Sequence, residues 1–290
     1  MSLSPLQQLY REDGAVFLPG ALDGADLQKV EAAYNWMLEH PDETHVKFYP
    51  KEAATFLQAT GYSADVPVFR SLLQETPVAR ICAELFGHGD RPGPVWYLGE
   101  QLFLKEGGAA RRTPWHQDSS YLGFNGNKIA VVWITLDPVP AEACLEVIPG
   151  SHRGITFNGS MFHPDDDTIP LYAKSDLPRL PDIEANRSSW DIRSWPVTPG
   201  DVLIFHTACL HGGGATRPGH RRRTLTLRFF GDDVVWIERP KRTDRLAGQN
   251  RGDPSNAELI EDSRPVGEAL ARSPQFRQVY PLPRAGSGNL

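Results

Sequence analysis

The 290-residue sequence has few cysteines, no long apolar run and no excess of positive charge. The three cysteines, Cys82, Cys144 and Cys209, are an odd number and lack the close spacing of a zinc or redox pair. This favours a reducing, cytoplasmic location over a disulfide framework. No run of about 18 apolar residues occurs, and residues 1–13 do not resemble a signal peptide. Neither export nor membrane insertion is therefore expected.

Lysine and arginine together number 30 against 36 aspartates and glutamates, which gives a formal net charge of −6. An acidic balance argues against nucleic acid or an anionic membrane surface as partner, and a small-molecule substrate is expected instead. At this length a fold buries about three quarters of the surface of the unfolded chain. A bound metal would therefore serve function rather than folding. No coiled-coil repeat is present, and the expected state is a monomer or homodimer.

The hydrophobic pattern predicts one domain over residues 1–290 with three parts. Over residues 1–92 the pattern predicts a short N-terminal strand and supporting helices, notably at 23–39 and 77–86. Over residues 93–235 the pattern predicts short strands with no long helix between them, which favours an antiparallel sandwich or barrel. A proline-rich insert at 158–190 is either a lid over a binding site or a disordered loop. Residues 236–290 form a polar C-terminal extension.

The residues best suited to chemistry are His116 and Asp118. Side chains two apart on an extended strand face the same side, so this imidazole and carboxylate can converge. A second imidazole would complete a facial triad that leaves three metal positions open, as in non-haem iron oxygenases. Zinc enzymes use similar ligands. Either His206 or His211 is suited to supply the second imidazole.

A second candidate feature is the strand predicted at 222–231. Its alternation places Leu225, Leu227 and Phe229 on one face, and a polar set on the other: Arg222, Thr224, Thr226 and Arg228. In a fold that encloses a small ligand, an arginine on the inner face can bind a carboxylate through paired, charge-assisted hydrogen bonds. The alternative is a solvated basic turn after Pro218-Gly219, which is favoured for Arg221 and Arg223.

Four motifs in this order resemble the phytanoyl-CoA dioxygenase (PhyH) family of iron(II)- and 2-oxoglutarate-dependent oxygenases. They are His-Gln-Asp at 116–118, Ile-Pro-Gly-Ser-His at 148–152, the run 200–206 leading to His211-Gly212, and Arg222. Residues 13–20 are also similar to the family's start, so the likeness covers about residues 10–235. It implies a mainly β fold with flanking α-helices, in which N-terminal helices support a double-stranded β-helix core (jelly-roll, cupin-like).

The resemblance also implies roles for individual residues. His116, Asp118 and His211 would bind iron, and Arg222 would bind the distal carboxylate of 2-oxoglutarate. Gln117, Trp133 and Thr224 would bind or line the cosubstrate pocket. The sequence departs from the family's usual pattern at Gly213, where many relatives have serine. This departure puts a hydrogen bond near the metal in doubt and leaves the implied ligands unchanged.

The implied reaction uses O2 to hydroxylate, or similarly oxidise, an unactivated carbon of a small molecule, while 2-oxoglutarate is decarboxylated to succinate and CO2. Related halogenases have glycine or alanine in place of the aspartate, so Asp118 favours hydroxylation. Two alternatives stay open. One is a jelly-roll isomerase or hydrolase that uses another metal and has no need of 2-oxoglutarate or of Arg222, and the other is a non-catalytic binding module.

The substrate is not identified by the sequence. Aromatic residues near the predicted site suit either a partly apolar ligand or the core: Tyr97, Phe103, Trp115, Tyr121, Phe124 and Trp133. Lys105, Arg112 and Arg228 could supply charge for an acidic substrate. No feature resembles a site for a coenzyme A thioester.

Overall fold

The computed structural model describes residues 3–48, 53–163, 166–172, 174–238 and 265–282. Much of the predicted C-terminal extension, at 239–264 and 283–290, lies outside the described residues. Within the described part, no helix has the length and apolar character needed to cross a membrane.

Four helices lie in the N-terminal part: α1 Pro5–Asp13, α2 Gly24–Glu39, α3 Pro67–Glu75 and α4 Val78–Phe86. The predicted helices correspond to α2 and α4, whereas α1 and α3 were not predicted. Helix α1 begins with a capping box, in which the Ser4 hydroxyl accepts from the Gln7 amide N–H and the Gln7 side chain accepts from Ser4 N–H. The buried faces of the four helices pack against one face of the largest sheet.

Fourteen strands follow the chain among the described residues: β1 Ala15–Leu18, β2 Val46–Phe48, β3 Thr55–Gly61, β4 Val95–Glu106, β5 Thr113–His116, β6 Phe124–Asn125, β7 Ile129–Thr135, β8 Leu145–Val147, β9 Arg193–Ser194, β10 Val202–Phe205, β11 His211–Gly213, β12 Arg222–Phe230, β13 Val235–Trp236 and β14 Gln278–Tyr280. The large sheet has the order β1-β10-β7-β12-β4-β3-β2, with β14 also pairing with β4. The small sheet has the order β5-β11-β8-β9, and β13 pairs with β6.

Both sheets are antiparallel and pack face to face. Along β7, Val132 and Ile134 face the helices, whereas Val131 and Trp133 face the small sheet, where they meet Leu145 among others. Each such side chain contributes about 1.5–3 kcal/mol when fully buried. The prediction of a mainly β jelly-roll with flanking helices is confirmed. The sheets form an open sandwich, not a closed barrel.

Strands β2 and β3 extend the large sheet beyond β4 and were not predicted. At the β4 to β12 pairing the register shifts between Arg228 and Phe229, opposite Gly99. Gly99 has φ +143°, and a Cβ there would lie 2.7 Å from the carbonyl oxygen of Gly61 on β3. A larger residue would therefore separate β3 from β4 at this point.

The described parts of the 158–190 insert are folded over one end of the sandwich. Asn158 exchanges two hydrogen bonds with the backbone of Tyr172, and the side chains of Leu171 and Tyr172 pack with Tyr121. The insert thus brings Ser160 and Phe162 to the rim of the cavity between the sheets.

Candidate metal centre

The end of β5 and the start of β11 bring three potential metal ligands together. His116 is the last residue of β5, Gln117 continues in extended conformation, and Asp118 opens a short 3-10 turn. His211 lies directly opposite His116 on the neighbouring strand. The Asp118 Oδ1 atom is 3.4 Å from His116 Nε2 and 3.7 Å from His211 Nε2. Ligands bound about 2.1 Å from one ion lie about 3 Å from each other, so this spacing suits a single metal.

Backbone carbonyls fix the tautomer of both imidazoles. His116 Nδ1 donates to Pro114 O at 2.8 Å, and His211 Nδ1 donates to Cys209 O at 2.9 Å. A carbonyl oxygen only accepts, so each Nδ1 carries a proton and each Nε2 is directed at the centre, where it can bind a metal. Burial, together with the neighbouring His116, lowers the pKa of His211 to about 3, so its imidazole is neutral near pH 7.

Arg228 on β12 holds the remaining oxygen of the carboxylate. Its Nη2 atom lies 3.3 Å from Asp118 Oδ2 and donates to Gln101 Oε1 at 2.5 Å. Burial alone would raise the pKa of Asp118, but the Arg228 guanidinium and the two histidines hold that pKa well below its usual range. Asp118 is therefore ionised, with Oδ1 directed at the metal position.

Arg222 is a buried cation without an acidic partner among the described residues. Its Nη1 donates to the carbonyl oxygens of Ala143 and Gly214, while its Nε has no partner. Burial lowers the pKa of Arg222 to about 10, a sign that its positive charge is poorly compensated. An unpaired buried charge is costly, and an anionic ligand would offset that cost.

The surroundings of Arg222 leave room for such a ligand. The Thr224 hydroxyl lies on the same face of β12 and is buried without a hydrogen-bond partner in the described part of the chain. At Gly213, an added Cβ would lie 3.6 Å from Arg222 Nη2. A side chain at this position would therefore occupy part of the space beside the guanidinium.

The other predicted site residues divide between the cavity and its supports. Trp133 lines the cavity with the three ligands, Arg222 and Thr224. Gln117 does not line it: its amide donates to Ala208 O and Ile155 O and accepts from Phe157 N–H, so it ties together the backbone behind the metal position.

His206, the rival for the third ligand, faces away from Asp118. Its Nδ1 accepts from Ala208 N–H at 3.0 Å, so Nε2 carries the proton and donates to Gly126 O at 3.0 Å. Both nitrogens are occupied, and the metal-binding group found in the described residues consists of His116, Asp118 and His211.

The candidate aromatic and cationic residues separate in the same way. Phe103, Tyr121 and Trp133 line the cavity, whereas Tyr97, Trp115 and Phe124 belong to hydrophobic clusters outside it. Arg228 is engaged with Asp118. Arg112 forms ion pairs with Glu146 and Glu184, and the Lys105 ammonium donates to Arg111 O and lies 4.1 Å from the ring centroid of Phe56.

Part of the cavity wall was missed in the sequence. Strand β3 contributes Phe56, Gln58 and Thr60, and the insert contributes Ser160 and Phe162. The alternation of Phe56, Gln58 and Thr60 with Leu57 and Ala59 was an available signal for a strand with one face on a ligand.

An open jelly roll with two imidazoles and one carboxylate at one side of a cavity defines the class of mononuclear non-haem metalloenzymes with a facial triad. The model of the phytanoyl-CoA dioxygenase (PhyH) family matches residues 10–224, and the chain belongs to this family. These findings also bear out iron and 2-oxoglutarate as the expected cofactors.

The curated relatives are distant. A peroxisomal phytanoyl-CoA dioxygenase of Rattus norvegicus is 22% identical over 258 residues, which cover 80% of this chain and 69% of the rat protein. A probable phytanoyl-CoA dioxygenase of Caenorhabditis elegans is 27% identical over 125 residues, covering 42% of this chain and 38% of the nematode protein. The latter match thus spans well under half of its relative.

Solved structures match over nearly the whole chain. The epimerase SnoN from nogalamycin biosynthesis, solved with Fe3+, alpha ketoglutarate and nogalamycin RO, has a TM-score of 0.65 at 21% identity and covers 94% of this chain and 97% of its own. The alpha-ketoglutarate-dependent carbocyclase SnoK from the same biosynthesis has a TM-score of 0.65 at 20% identity and covers 95% and 96%. At these identities the likeness establishes the fold.

Proposed function

We propose that this protein is an iron(II)- and 2-oxoglutarate-dependent dioxygenase that hydroxylates an unactivated carbon of a small molecule. In the proposed reaction, 2-oxoglutarate is decarboxylated to succinate and CO2. The observation that carries the proposal is Arg222, a buried guanidinium that has no acidic partner among the described residues and lines the same cavity as His116, Asp118 and His211. A dicarboxylate that binds the metal at one end needs such a cation at the other.

The side chains of His116, Asp118 and His211 suit a site for iron(II) and 2-oxoglutarate. Two imidazole nitrogens and one carboxylate oxygen are donors that suit a divalent cation, and they leave three positions open. Iron bound there, with 2-oxoglutarate, would supply the oxidising chemistry on O2.

The side chains of the cavity would bind the cosubstrate and orient the metal ligands. Arg228 would keep the Asp118 carboxylate ionised and fixed, and Arg222 with Thr224 would hold the distal carboxylate of the cosubstrate. The side chains of Trp133 and Phe205, both on the cavity wall, would restrict water near the metal.

The alternative of a jelly-roll isomerase or hydrolase with another metal is not favoured. Such an enzyme has no use for an unpaired guanidinium buried in the metal cavity. Asp118 occupies the position that is glycine or alanine in the related halogenases, which supports hydroxylation. The solved neighbours include an epimerase and a carbocyclase, so product analysis decides between these oxidative outcomes.

The test measures 2-oxoglutarate binding to protein loaded anaerobically with iron(II), by calorimetry and by the weak visible charge-transfer band of the complex. Arg222→Leu should weaken binding about 10- to 150-fold, the value of one or two charge-assisted hydrogen bonds. Metal affinity should be retained in this variant and lost in Asp118→Ala.

Arg221→Leu is the matched control, since Arg221 precedes Arg222 and has a half-exposed side chain paired with Asp137. It should leave 2-oxoglutarate affinity unchanged. Equal affinities in Arg222→Leu and wild type would contradict the proposal, as would metal-loaded protein that binds no 2-oxoglutarate.

The proposed setting is a reducing cytoplasm and a small-molecule substrate, with no nucleic-acid or membrane partner, for a monomer or homodimer. The three free, buried cysteines support the compartment. The acidic net charge supports the absence of a polyanionic partner.

A further inference from the structure

The charged side chains of the cavity are already engaged by the proposed function. Among the described lining residues they are the three metal ligands, Arg222 for the cosubstrate, and Arg228, which pairs with Asp118. The cavity has 24 lining residues, drawn from both sheets and from the insert, and several of them lie away from the metal ligands and Arg222, where a second ligand can bind. No lining cation in the described part is left to neutralise an anionic substrate.

A row of uncharged side chains crosses the large sheet four residues along β12 from Arg222. Thr60 on β3 pairs with Gln101 on β4, which pairs with Thr226 on β12 and through it with Trp133 on β7. All four side chains line the cavity. Directly opposed residues on neighbouring strands have Cβ atoms about 4.5–5.5 Å apart, so one small ligand group can contact both Thr60 and Gln101.

The orientation of the Gln101 amide is fixed by Arg228. A guanidinium has donors only, so the atom at 2.5 Å from Arg228 Nη2 must be the carbonyl oxygen Oε1. The amide NH2 of Gln101 forms no hydrogen bond within the described residues and is left as a donor on the cavity side.

Thr60 supplies the second group of this subsite. Its side chain is 5% exposed, and its Oγ1 atom is buried without any hydrogen-bond partner in the described chain. Buried hydroxyls are normally satisfied, and an unsatisfied one costs about 1–3 kcal/mol. A ligand oxygen on the cavity face of the sheet, over the paired Thr60 and Gln101, would accept hydrogen bonds from both side chains.

The wall around this row is aromatic. The ring of Phe162 lies 5.2 Å from that of His116 and stacks with Tyr121 at 6.2 Å, and Phe48 packs against Phe56 at 5.1 Å. Phe162 has φ +53°, a conformation that is rare for a bulky residue. The fold therefore holds this ring beside His116 at a cost in backbone strain. Flat rings of this kind suit a flat apolar ligand body.

We infer that Thr60 and Gln101 form a substrate subsite for a neutral oxygen, carbonyl or hydroxyl, on an uncharged ring compound whose apolar body packs on the aromatic wall. This inference rests on the proposed function for the assignment of Arg222 to the cosubstrate and for the reaction that follows binding. Because Gln101 also contacts Arg228, a ligand held there lies next to the metal position.

The test uses three probes with one bicyclic skeleton: the ketone 2-tetralone, the hydrocarbon tetralin and the acid tetralin-2-carboxylate. Each is titrated by calorimetry into protein loaded with zinc(II) and 2-oxoglutarate, so that no turnover occurs. The ketone should bind about fivefold more tightly than the hydrocarbon, the effect of one neutral hydrogen bond, and more tightly than the acid.

Two variants remove the donors separately. Thr60→Val removes a hydroxyl at constant shape, and Gln101→Glu removes the amide donor while it keeps an oxygen for Arg228. Each should reduce the advantage of ketone over hydrocarbon, whereas a role for Gln101 only in holding Arg228 would leave that advantage unchanged. Thr55→Val, on the same strand but outside the cavity lining, is the matched control and should bind the probes like wild type.

Tighter binding of the acid, equal binding of ketone and hydrocarbon, no measurable binding of the ketone, or an unchanged ketone advantage in Thr60→Val would each overturn the inference. The proposed function fails separately. If zinc-loaded protein binds no 2-oxoglutarate but retains the ketone preference, the oxygenase proposal is wrong and the subsite stands.

Discussion

The charged groups of the centre differ in how they are compensated. Asp118 forms an ion pair with Arg228, and the imidazoles of His116 and His211 donate to backbone carbonyls. Arg222 also donates to backbone carbonyls, but it has no acidic partner in the described chain. A site that is fully neutralised at one end and unpaired at the other is prepared for an anion at the unpaired end.

A pH dependence of folding follows from His206. Burial lowers its pKa to about 4 from the ordinary 6.5, so between these values the unfolded chain takes up a proton that the folded protein does not. The free energy of unfolding should therefore fall as the pH drops from 6.5 towards 4, by up to about 1.4 kcal/mol per pH unit from this group. His206→Gln should flatten the dependence by that amount in urea titrations of the metal-free protein.

The lowered pKa of His211 contributes to the pH dependence of unfolding with the same sign in wild type and in His206→Gln. The difference between the slopes of these two proteins therefore reports on His206 alone. His220→Gln, at an exposed position, is the control and should keep the wild-type slope. An unchanged slope in His206→Gln would mean that this histidine is already protonated in the folded state.

Residue type and spacing could identify His116 and Asp118, because strand geometry alone brings them together. They could not separate His206 from His211, since both are imidazoles near the same strand end. The separation depends on Ala208 N–H and Gly126 O, which occupy both nitrogens of His206. Such backbone positions follow from tertiary structure, and the family resemblance supplied the choice that local chemistry could not.

At the level of elements, the insert is attached to the metal strand by a cluster of charges. Glu184 accepts from the Trp115 indole N–H at 3.1 Å and pairs with Arg112 and Arg187, and both arginines also bind the buried Glu146 of β8. Trp115 immediately precedes the ligand His116. The insert therefore supports the metal strand from behind while Phe162 covers the cavity.

Removal of Glu184 should loosen this attachment. In Glu184→Ala, the indole N–H loses its acceptor and two arginines lose a partner, so a destabilisation of about 1 kcal/mol is expected, along with faster amide hydrogen exchange over 180–192. Asp191→Ala is the control, because Asp191 is exposed and pairs only with Arg193 in the described chain. Equal exchange over 180–192 in both variants would show that the charges do not hold the insert.

The elements that the sequence could predict are those with a strong period. The hydrophobic pattern predicts strands at 128–137, 202–205 and 222–231. The second matches the bounds of β10, and the other two lie within two residues of those of β7 and β12, because apolar side chains cover the helix-facing side of each strand. Strand β3 was missed because its ligand-facing side carries glutamine and threonine instead of a regular core. Its pairing with β4 joins residues 39 to 51 apart in the sequence, which the local pattern does not encode.

For the whole molecule, we propose that residues 1–290 form one cooperative domain. Strand β1, near the N-terminus, pairs with β10, and β14, near the C-terminus, pairs with β4, so both lie in the large sheet. Phe276 of the C-terminal part packs its ring 5.2 Å from Phe230 of the central strand β12. Few contacts of this kind would be expected between independent domains.

Phe276→Ala should therefore destabilise the entire protein. The loss of a buried ring predicts a decrease of about 3 kcal/mol in the free energy of unfolding, seen in calorimetry as a shift of one single transition. Leu282→Ala, at an exposed position, should change it by less than about 0.5 kcal/mol. A separate early transition in Phe276→Ala, with the main one unmoved, would divide the chain into two domains.

The carbonyls of Pro114 and Cys209 have a consequence for how such a protein can diversify. Each lies two residues before the histidine that it orients, Pro114 within β5 and Cys209 just before β11, so neither ligand depends on a side chain elsewhere for its tautomer. Mutations in Thr60, Gln101 or Phe162 can change which molecule is accepted without disturbing the two imidazoles. Descendants of this scaffold can thus exchange substrates while they inherit the same histidine geometry.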